Sequence, residues 1–385
     1  SAGQQCAASS RETIAGMTAF PTTVPPGTGQ RHLVLLGAGQ SHLNVLAQWA
    51  MRPVAGVQVT LVTPHPGHLN AYLLPGLVAG QYPLEDCTIA LEPLIHNSGI
   101  RWVQRHAAGL DAQAQTILLD DGSKLPYDWL SINAGLTQDR SRVEQSMPGA
   151  REYGLFIRPP ETFAALWPRV TELPAEDSRS VAVVGGDITA IELAMAIRHR
   201  LPHAAVTLIT DGNAVASNLP ATMQSCIERA LKKRRITILI DTVTGLQRGE
   251  ALLGCGARLA CDIPVVASDA GAPSWLVPSG LALDQTGLIL VDGCQRSTSH
   301  ANVYAAGGVC TQDGSAGLYG NLAAATAGLQ PQPLAGKHAA LQSVSCGDGS
   351  AIACWHGLCL QGRLPGWWKQ RADRLSVQRY RHPVR

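Results

Sequence analysis

The sequence predicts an α/β protein built from two Rossmann-like, three-layer dinucleotide-binding domains, and three observations carry that prediction. The run Leu33-Val34-Leu35-Leu36-Gly37-Ala38-Gly39-Gln40-Ser41-His42 sets a glycine turn directly after an apolar stretch. Val181-Ala182-Val183-Val184-Gly185-Gly186-Asp187-Ile188-Thr189-Ala190 repeats the arrangement in mid-chain. Each has the order strand, turn, helix that lays a pyrophosphate against backbone N–H groups at a helix N-terminus. After each helix comes a second apolar strand, which closes a βαβ unit and requires a parallel sheet. Two such units in one chain point to a flavin dinucleotide and, by descent, a nicotinamide.

Taken in order, the first unit is strand 33–36, helix 41–51 and strand 57–62. A helix near 88–97, a strand at 100–103 and a hairpin joining 116–119 to 124–126 follow, with Asp121-Gly122 at the hairpin turn, and 127–132 reads as a buried strand. The Pro/Glu/Asp/Ser-rich stretch 173–178 precedes the second unit, with its helix at 189–200 and strand at 206–209. A helix at 220–233, a strand at 236–240 and a hairpin near 250–262 come next. The apolar run 263–267 is expected to return the chain to the first domain, completed by 288–291 and 303–306. A tail from about 335 carries one more hairpin and a basic helix. The expected boundaries are 1–28 outside the fold, 29–145 and 263–334 forming the first domain, 146–262 inserted between them, and 335–385 as a small hairpin-helix region. Met17 is a plausible natural start.

Composition narrows the function. With 385 residues, 45% hydrophobic content, 15% charge and a formal net charge of +2, the chain can bury sizeable cores. Neither its charge balance nor its spacing of basic residues fits a nucleic-acid binder. Ten scattered cysteines include no Cys-x-x-Cys pair and no zinc-ligand spacing, so no metal site is expected. No run reaches the roughly 18 apolar residues of a membrane span. These features fit a cytoplasmic protein.

The two fingerprints, together with Val303-Tyr304-Ala305-Ala306-Gly307, resemble the pyridine nucleotide-disulfide oxidoreductase superfamily, in which two dinucleotide-binding domains are combined. Within it the chain is most similar to the branch of type II NADH dehydrogenases and sulfide:quinone oxidoreductases. It is closer still to the flavoprotein module fused to selenide, water dikinase, through 37–42, 74–80, 271–276 and Arg296-Ser297-Thr298-Ser299-His300. The resemblance covers roughly 31–380. It implies an FAD domain split around an inserted NAD(P)-type domain, and an FAD-dependent oxidoreductase of a small molecule.

By that resemblance Gly37 and Gly39 let the backbone approach the FAD pyrophosphate, with Gln40 and Ser41 opening the helix beside it. His42 stands where a third glycine is usual and either reaches a phosphate or packs. Thr63 replaces the acidic residue that often binds the adenosine ribose. Leu74 and Pro75 would lie beside the isoalloxazine ring, and Gly135 and Gly307 would mark two further turns at the cofactor. Gly308 replaces the Asp that bonds the ribityl chain, a loss of about 1.5 to 3 kcal/mol.

The second site departs further. Asp187 occupies the second-glycine position, where a carboxylate about 5 Å from one phosphate charge costs on the order of 3 kcal/mol at an effective dielectric near 20. Asn133-Ala134-Gly135 and Ala267-Ser268-Asp269 keep only fragments of the superfamily's two Ala-Thr-Gly crossings. NAD(P)H use is therefore expected to be impaired or absent. Glu192 matches a residue often near the nicotinamide, or is a solvated helix charge.

The candidates for catalytic residues are Glu192 and Cys310. Cys354 and Cys359 have Cys-x4-Cys spacing, but in a hairpin rather than on the flavin-domain helix, where their thiols could simply face each other. The basic tail 362–385, with Trp367 and Trp368, either packs its tryptophans on the body or makes weak, peripheral contact with the inner face of an anionic membrane. Three function classes stay open: the FAD oxidoreductase, an NAD(P)H dehydrogenase that passes electrons through FAD to a quinone or other acceptor, and an inactive fold serving as a binding partner. A homo-oligomer is compatible with each.

Overall fold

The computed structural model describes residues 30–96, 98–172, 179–211, 213–312, 317–333, 342–355 and 358–381. The expected amino-terminal extension and the 173–178 linker lie outside the described residues.

Apolar runs flanked by glycine turns become buried parallel strands, because both faces of such a sheet are covered by helices. The first sheet has the order Val303–Ala305, Trp129–Ile132, Arg31–Leu36, Val57–Val62, Arg101–Val103, and every pair is parallel. Helix Gln40–Met51 packs on it through Leu43, Leu46 and Trp49. The second sheet repeats the plan with Leu155–Phe156, Ile263–Val266, Ser180–Val184, Ala205–Ile209 and Thr237–Leu239, again wholly parallel. Helices Ile188–Arg200 and Ala221–Lys233 belong to this second half. Antiparallel three-stranded sheets flank each half, and the hairpin joining Thr116–Leu119 to Lys124–Pro126 forms where Asp121-Gly122 predicts it.

Three expectations are corrected. The run Ile263–Val266 does not return to the first sheet: it pairs with Ser180–Val184 and Leu155–Phe156, so the expected boundary at 263 falls one strand early. An apolar strand bears no mark of which sheet it will join. The stretch 288–291 makes only isolated bridges, Ile289 with Leu283 and Cys310, and Val291 with Ser297. The helix expected over 88–97 is a short strand, Thr88–Ala90, followed by a single turn, Glu92–Ile95.

Helix Pro160–Glu172 lies in a stretch for which no element is expected from the sequence, and it carries Pro168 within it. It buries Phe163 and Trp167, and the Trp167 indole donates to the Val78 carbonyl at 3.1 Å. The carboxyl-terminal region is a sheet of Gln342–Ser345, Ala351–Trp355 and Leu358–Gly362 followed by helix Arg363–Arg381. It touches both halves: Arg234 pairs with Asp348 at 2.6 Å, and Asn70 donates to the Ser376 hydroxyl at 2.7 Å.

Candidate functional site

The first sheet switches direction at Arg31–Leu36, with later strands added on one side and then the other, and a crevice opens at the carboxyl ends of its strands. A cavity of about 540 Å³ runs there, lined by Gly37, Gly39, Thr63 and Gly135 and, farther along, by Arg158 and Glu161. Gly37 has φ +90°, and a Cβ at Gly37 or Gly39 would overlap Asn133, so this turn admits only glycine. Gly39 is the N-cap of helix Gln40–Met51 and has no side chain with which to cap it. The His42 N–H in the first turn of this helix is met only by the neutral Asn133 amide oxygen and no acidic residue stands in that turn, so no charge of the chain's own opposes an anion at this positive helix end. A glycine cradle, a helix end free of acidic side chains and a crevice of this volume fit a dinucleotide.

Asn133 braces this end. Its carbonyl accepts from the Gly39 N–H at 3.2 Å, its Oδ1 from the His42 N–H at 3.3 Å, and its Nδ2 donates to the Ala306 carbonyl at 2.7 Å. The sequence marked Asn133 only as a remnant of a crossing motif, because its partners lie 91 and 173 positions away.

His42 does not face the crevice. It is fully buried, with Nδ1 2.6 Å from the Gly37 carbonyl and Nε2 2.8 Å from the Ser131 hydroxyl. A carbonyl can only accept, so Nδ1 carries the proton and Nε2 accepts from Ser131. Burial pulls the His42 pKa down to about 4, against the smaller upward effect of the Gly37 carbonyl. His42 is thus a neutral packing residue, and the phosphate-reaching role is corrected.

Several other expected site residues stand behind the crevice wall. Gln40 donates to the Tyr380 hydroxyl at 3.0 Å, and Ser41 is buried. Leu74 and Pro75 are buried in the short helix Leu74–Val78, while the preceding His68, Leu69 and Ala71 line the cavity. Gly307 abuts the Asn133 amide, and a Cβ at Gly308 would sit 3.2 Å from Leu136, itself a lining residue. Cys310 is buried, and its Sγ lies 3.4 and 3.2 Å from the Gly307 and Gln312 carbonyl oxygens, either of which can accept its one proton.

The second half uses its helix differently. Asp187 is the N-cap of Ile188–Arg200, and its Oδ1 accepts from the Ala190 N–H at 2.9 Å. The anion at this helix end is the protein's own. Arg158, on the wall of the first cavity, feels the Asp187 charge, although burial is the larger influence and lowers its pKa. Gln138 ties the halves by donating to the Val266 and Ser268 carbonyls at 2.9 and 2.7 Å and accepting from the Arg158 N–H at 2.9 Å. A local signal for the helix that follows this stretch is Pro159-Pro160, since proline suits a first helical position.

Glu192 is half-buried and bonds the carboxyl-terminal region rather than the second glycine turn. Its Oε1 accepts from the Ser345 N–H at 2.6 Å, and burial pushes its pKa up to about 7 against the pull of Lys369. Lys369 is held by Asp373 at 3.0 Å. Trp367 and Trp368 do not pack on the body either: they are 52% and 62% exposed, with the Arg371 guanidinium over Trp367 at 5.7 Å.

Comparison with known proteins gives these features a family. The sulfide-quinone reductase of Aquifex aeolicus is 26% identical over 27% of this chain and 24% of its own length. The demethylphylloquinone reductase of Synechocystis is 24% identical over 54% of each chain. The chain thus spans about half or less of these two relatives. The crystal structure of the sulfide:quinone oxidoreductase from Aquifex aeolicus superposes with a TM-score of 0.74 at 16% identity, covering 92% of both chains, a likeness of fold alone. The sequence profile described as pyridine nucleotide-disulphide oxidoreductase matches residues 31–330. Both halves, their glycine turns and the crevice fall inside that span, and the chain belongs to the pyridine nucleotide-disulphide oxidoreductase family, whose members are flavoprotein oxidoreductases.

Proposed function

We propose that the protein is an FAD-dependent oxidoreductase of a small molecule that draws electrons poorly, or not at all, from NADH and NADPH. The observation that supports this most is the unequal charge at two equivalent helix ends: beside the cavity the first-turn N–H of His42 meets the neutral Asn133 amide, whereas Asp187 fills the other end with its own carboxylate. FAD bound along the cavity would supply the electron-transfer chemistry. The chain's part is to hold it, through the backbone at Gly37 and Gly39 and through Thr63 and Gly135, and to set the charge at the far end through Arg158. Asn133 lines the cavity and braces its glycine turn, while His42, Leu74 and Pro75 support it from behind.

Mass spectrometry of the released cofactor tests the first part: FAD is expected, and FMN or a colourless protein that refuses added FAD overturns it. Anaerobic stopped-flow reduction tests the second. Dithionite should bleach the flavin absorbance while NADH and NADPH do so slowly or not at all. Rapid, saturable bleaching by micromolar NADH restores the dehydrogenase reading.

We further propose that helix Arg363–Arg381 makes salt-sensitive contact with anionic lipid, a reading supported by its exposed tryptophans beside Arg363, Arg371 and Arg374. Each basic residue near such a surface contributes about 1 kcal/mol. Cosedimentation with anionic liposomes should fall at high salt and in the variant Trp367→Ala/Trp368→Ala. Equal partitioning under all conditions removes this contact from the proposal.

A further inference from the structure

Cys354 lies on strand Ala351–Trp355 and Cys359 on strand Leu358–Gly362, and the antiparallel register sets the two directly opposite. Facing residues of an antiparallel pair have Cα atoms about 4.5 to 5.5 Å apart, within the roughly 4.4 to 6.8 Å that a disulfide spans. Their side chains share one face of the hairpin. The two Sγ atoms are 2.6 Å apart, and the Cys359 thiol donates to the Cys354 sulfur. Cys354 is buried and Cys359 is partly exposed, so an incoming reagent meets Cys359 first.

Packing fixes the pair in this arrangement. The hairpin lies against helix Ala221–Lys233, where the Thr222 hydroxyl is 4.0 Å from the Cys359 Sγ. Cys226 on the same helix is engaged by the Arg229 guanidinium at 3.3 Å. Closing a bond between Cys354 and Cys359 therefore needs no change of strand register.

We propose that Cys354 and Cys359 form an oxidisable dithiol that closes to an intrachain disulfide by exchange with low-molecular-weight organic disulfides. In the first step the Cys359 sulfur, having given up its proton, attacks one sulfur of the small disulfide. A Cys359 mixed disulfide forms, and one small thiolate leaves and takes a proton. In the second step the deprotonated Cys354 sulfur attacks the Cys359 Sγ, breaks the mixed disulfide and releases the second small thiol. Two electrons pass from the cysteine pair to the small disulfide, and the two protons end on the two thiols released. Burial and the hydrogen bond to Cys354 hold the Cys359 thiol above its usual range, so exchange should quicken as pH rises above neutrality. This site is separate from the flavin crevice and does not depend on its reading.

The test uses the full folded chain with oxidised glutathione as the probe, followed by acid quench, alkylation and peptide mapping. Expected are the loss of two alkylatable thiols, a peptide carrying a Cys354–Cys359 bond, and full reversal by dithiothreitol. Cys354→Ser should stop the exchange at a glutathione mixed disulfide on Cys359, whereas Cys226→Ser should leave the yield of the bond unchanged. The proposal is overturned if both cysteines stay alkylatable in the presence of excess probe. It is equally overturned if either cysteine pairs with Cys226 instead, or if Cys354→Ser takes up no glutathione.

Discussion

The two halves of the chain are copies in backbone and opposites in side chain. The Gly37 N–H donates to Val62 and the Gly185 N–H to Ile209, both at 2.8 Å. Thr63 and Thr210 bond Val103 and Leu239 in the same way, and Asn133 and Ala267 bond Leu36 and Val184. On that shared frame Gly39 occupies the position that Asp187 holds in the second half, and Asn133 the position of Ala267. Backbone geometry alone therefore does not make a nucleotide site. What matters is whether the oxygen that meets the first turn is a neutral amide from another strand or the chain's own carboxylate, and whether a side chain braces the turn.

Exchanging the two caps should break the contrast most strongly. Gly39→Asp brings a carboxylate to the crevice and drives a side chain into Asn133, so FAD affinity should fall by more than a hundred-fold, since about 3 kcal/mol of repulsion alone gives that factor. Gly39→Ala separates the steric part from the charge. Isothermal titration of the apoprotein with FAD reads both, and unchanged affinity in Gly39→Asp would refute the placement of the pyrophosphate.

Acid should next distinguish the halves, because a buried imidazole lies behind one turn only. His42 has a folded pKa near 4, below the unfolded value of 6.5, so the folded state disfavours its proton. The resulting stability is present above pH 6.5 and is lost as pH falls toward 4, on the order of 3 kcal/mol in all. Glu192 acts in the opposite sense. Its raised pKa stabilises the fold at low pH, and that gain fades as pH rises from its unfolded value toward about 7. Urea unfolding of His42→Asn, if the variant folds, should show a shallower acid loss than wild type, with Glu192→Gln as the control for the opposing trend. Parallel wild-type and His42→Asn curves would mean that His42 does not set the acid limit.

Asp187→Gly should be the gentlest change. Gly caps nearly as well, so stability should drop by only a few tenths of a kcal/mol. Nicotinamide binding should improve by up to about a hundred-fold if some 3 kcal/mol of repulsion is relieved. A smaller gain would point to Ser268-Asp269, where Asp269 sits at φ +58° and the Ser268 hydroxyl bonds its carboxylate.

The parts legible in the sequence were those encoded locally. Glycine turns after apolar runs located both βαβ units, and Asp121-Gly122 located a hairpin. Long-range pairing was not legible. Nothing in Ile263–Val266 says that it will lie beside Ser180–Val184, and Glu192 meets Ser345 only because the tail folds back across 153 positions. For the same reason the sequence leaves His42 open between phosphate contact and packing: its partner Ser131 is 89 positions away. Trp367 and Trp368 misled in the other direction, because large apolar residues on a helix usually pack inward.

The Asn133 brace also sets a timetable. Its amide reaches the Ala306 carbonyl, and the strand that delivers Ala306 is the last to join the first sheet. A chain emerging from the ribosome would expose Trp129–Ile132 as an open edge while the whole second half was being made. The crevice can therefore close only late in synthesis, and chains cut short before Val303 would have neither a finished sheet nor a place to keep a cofactor.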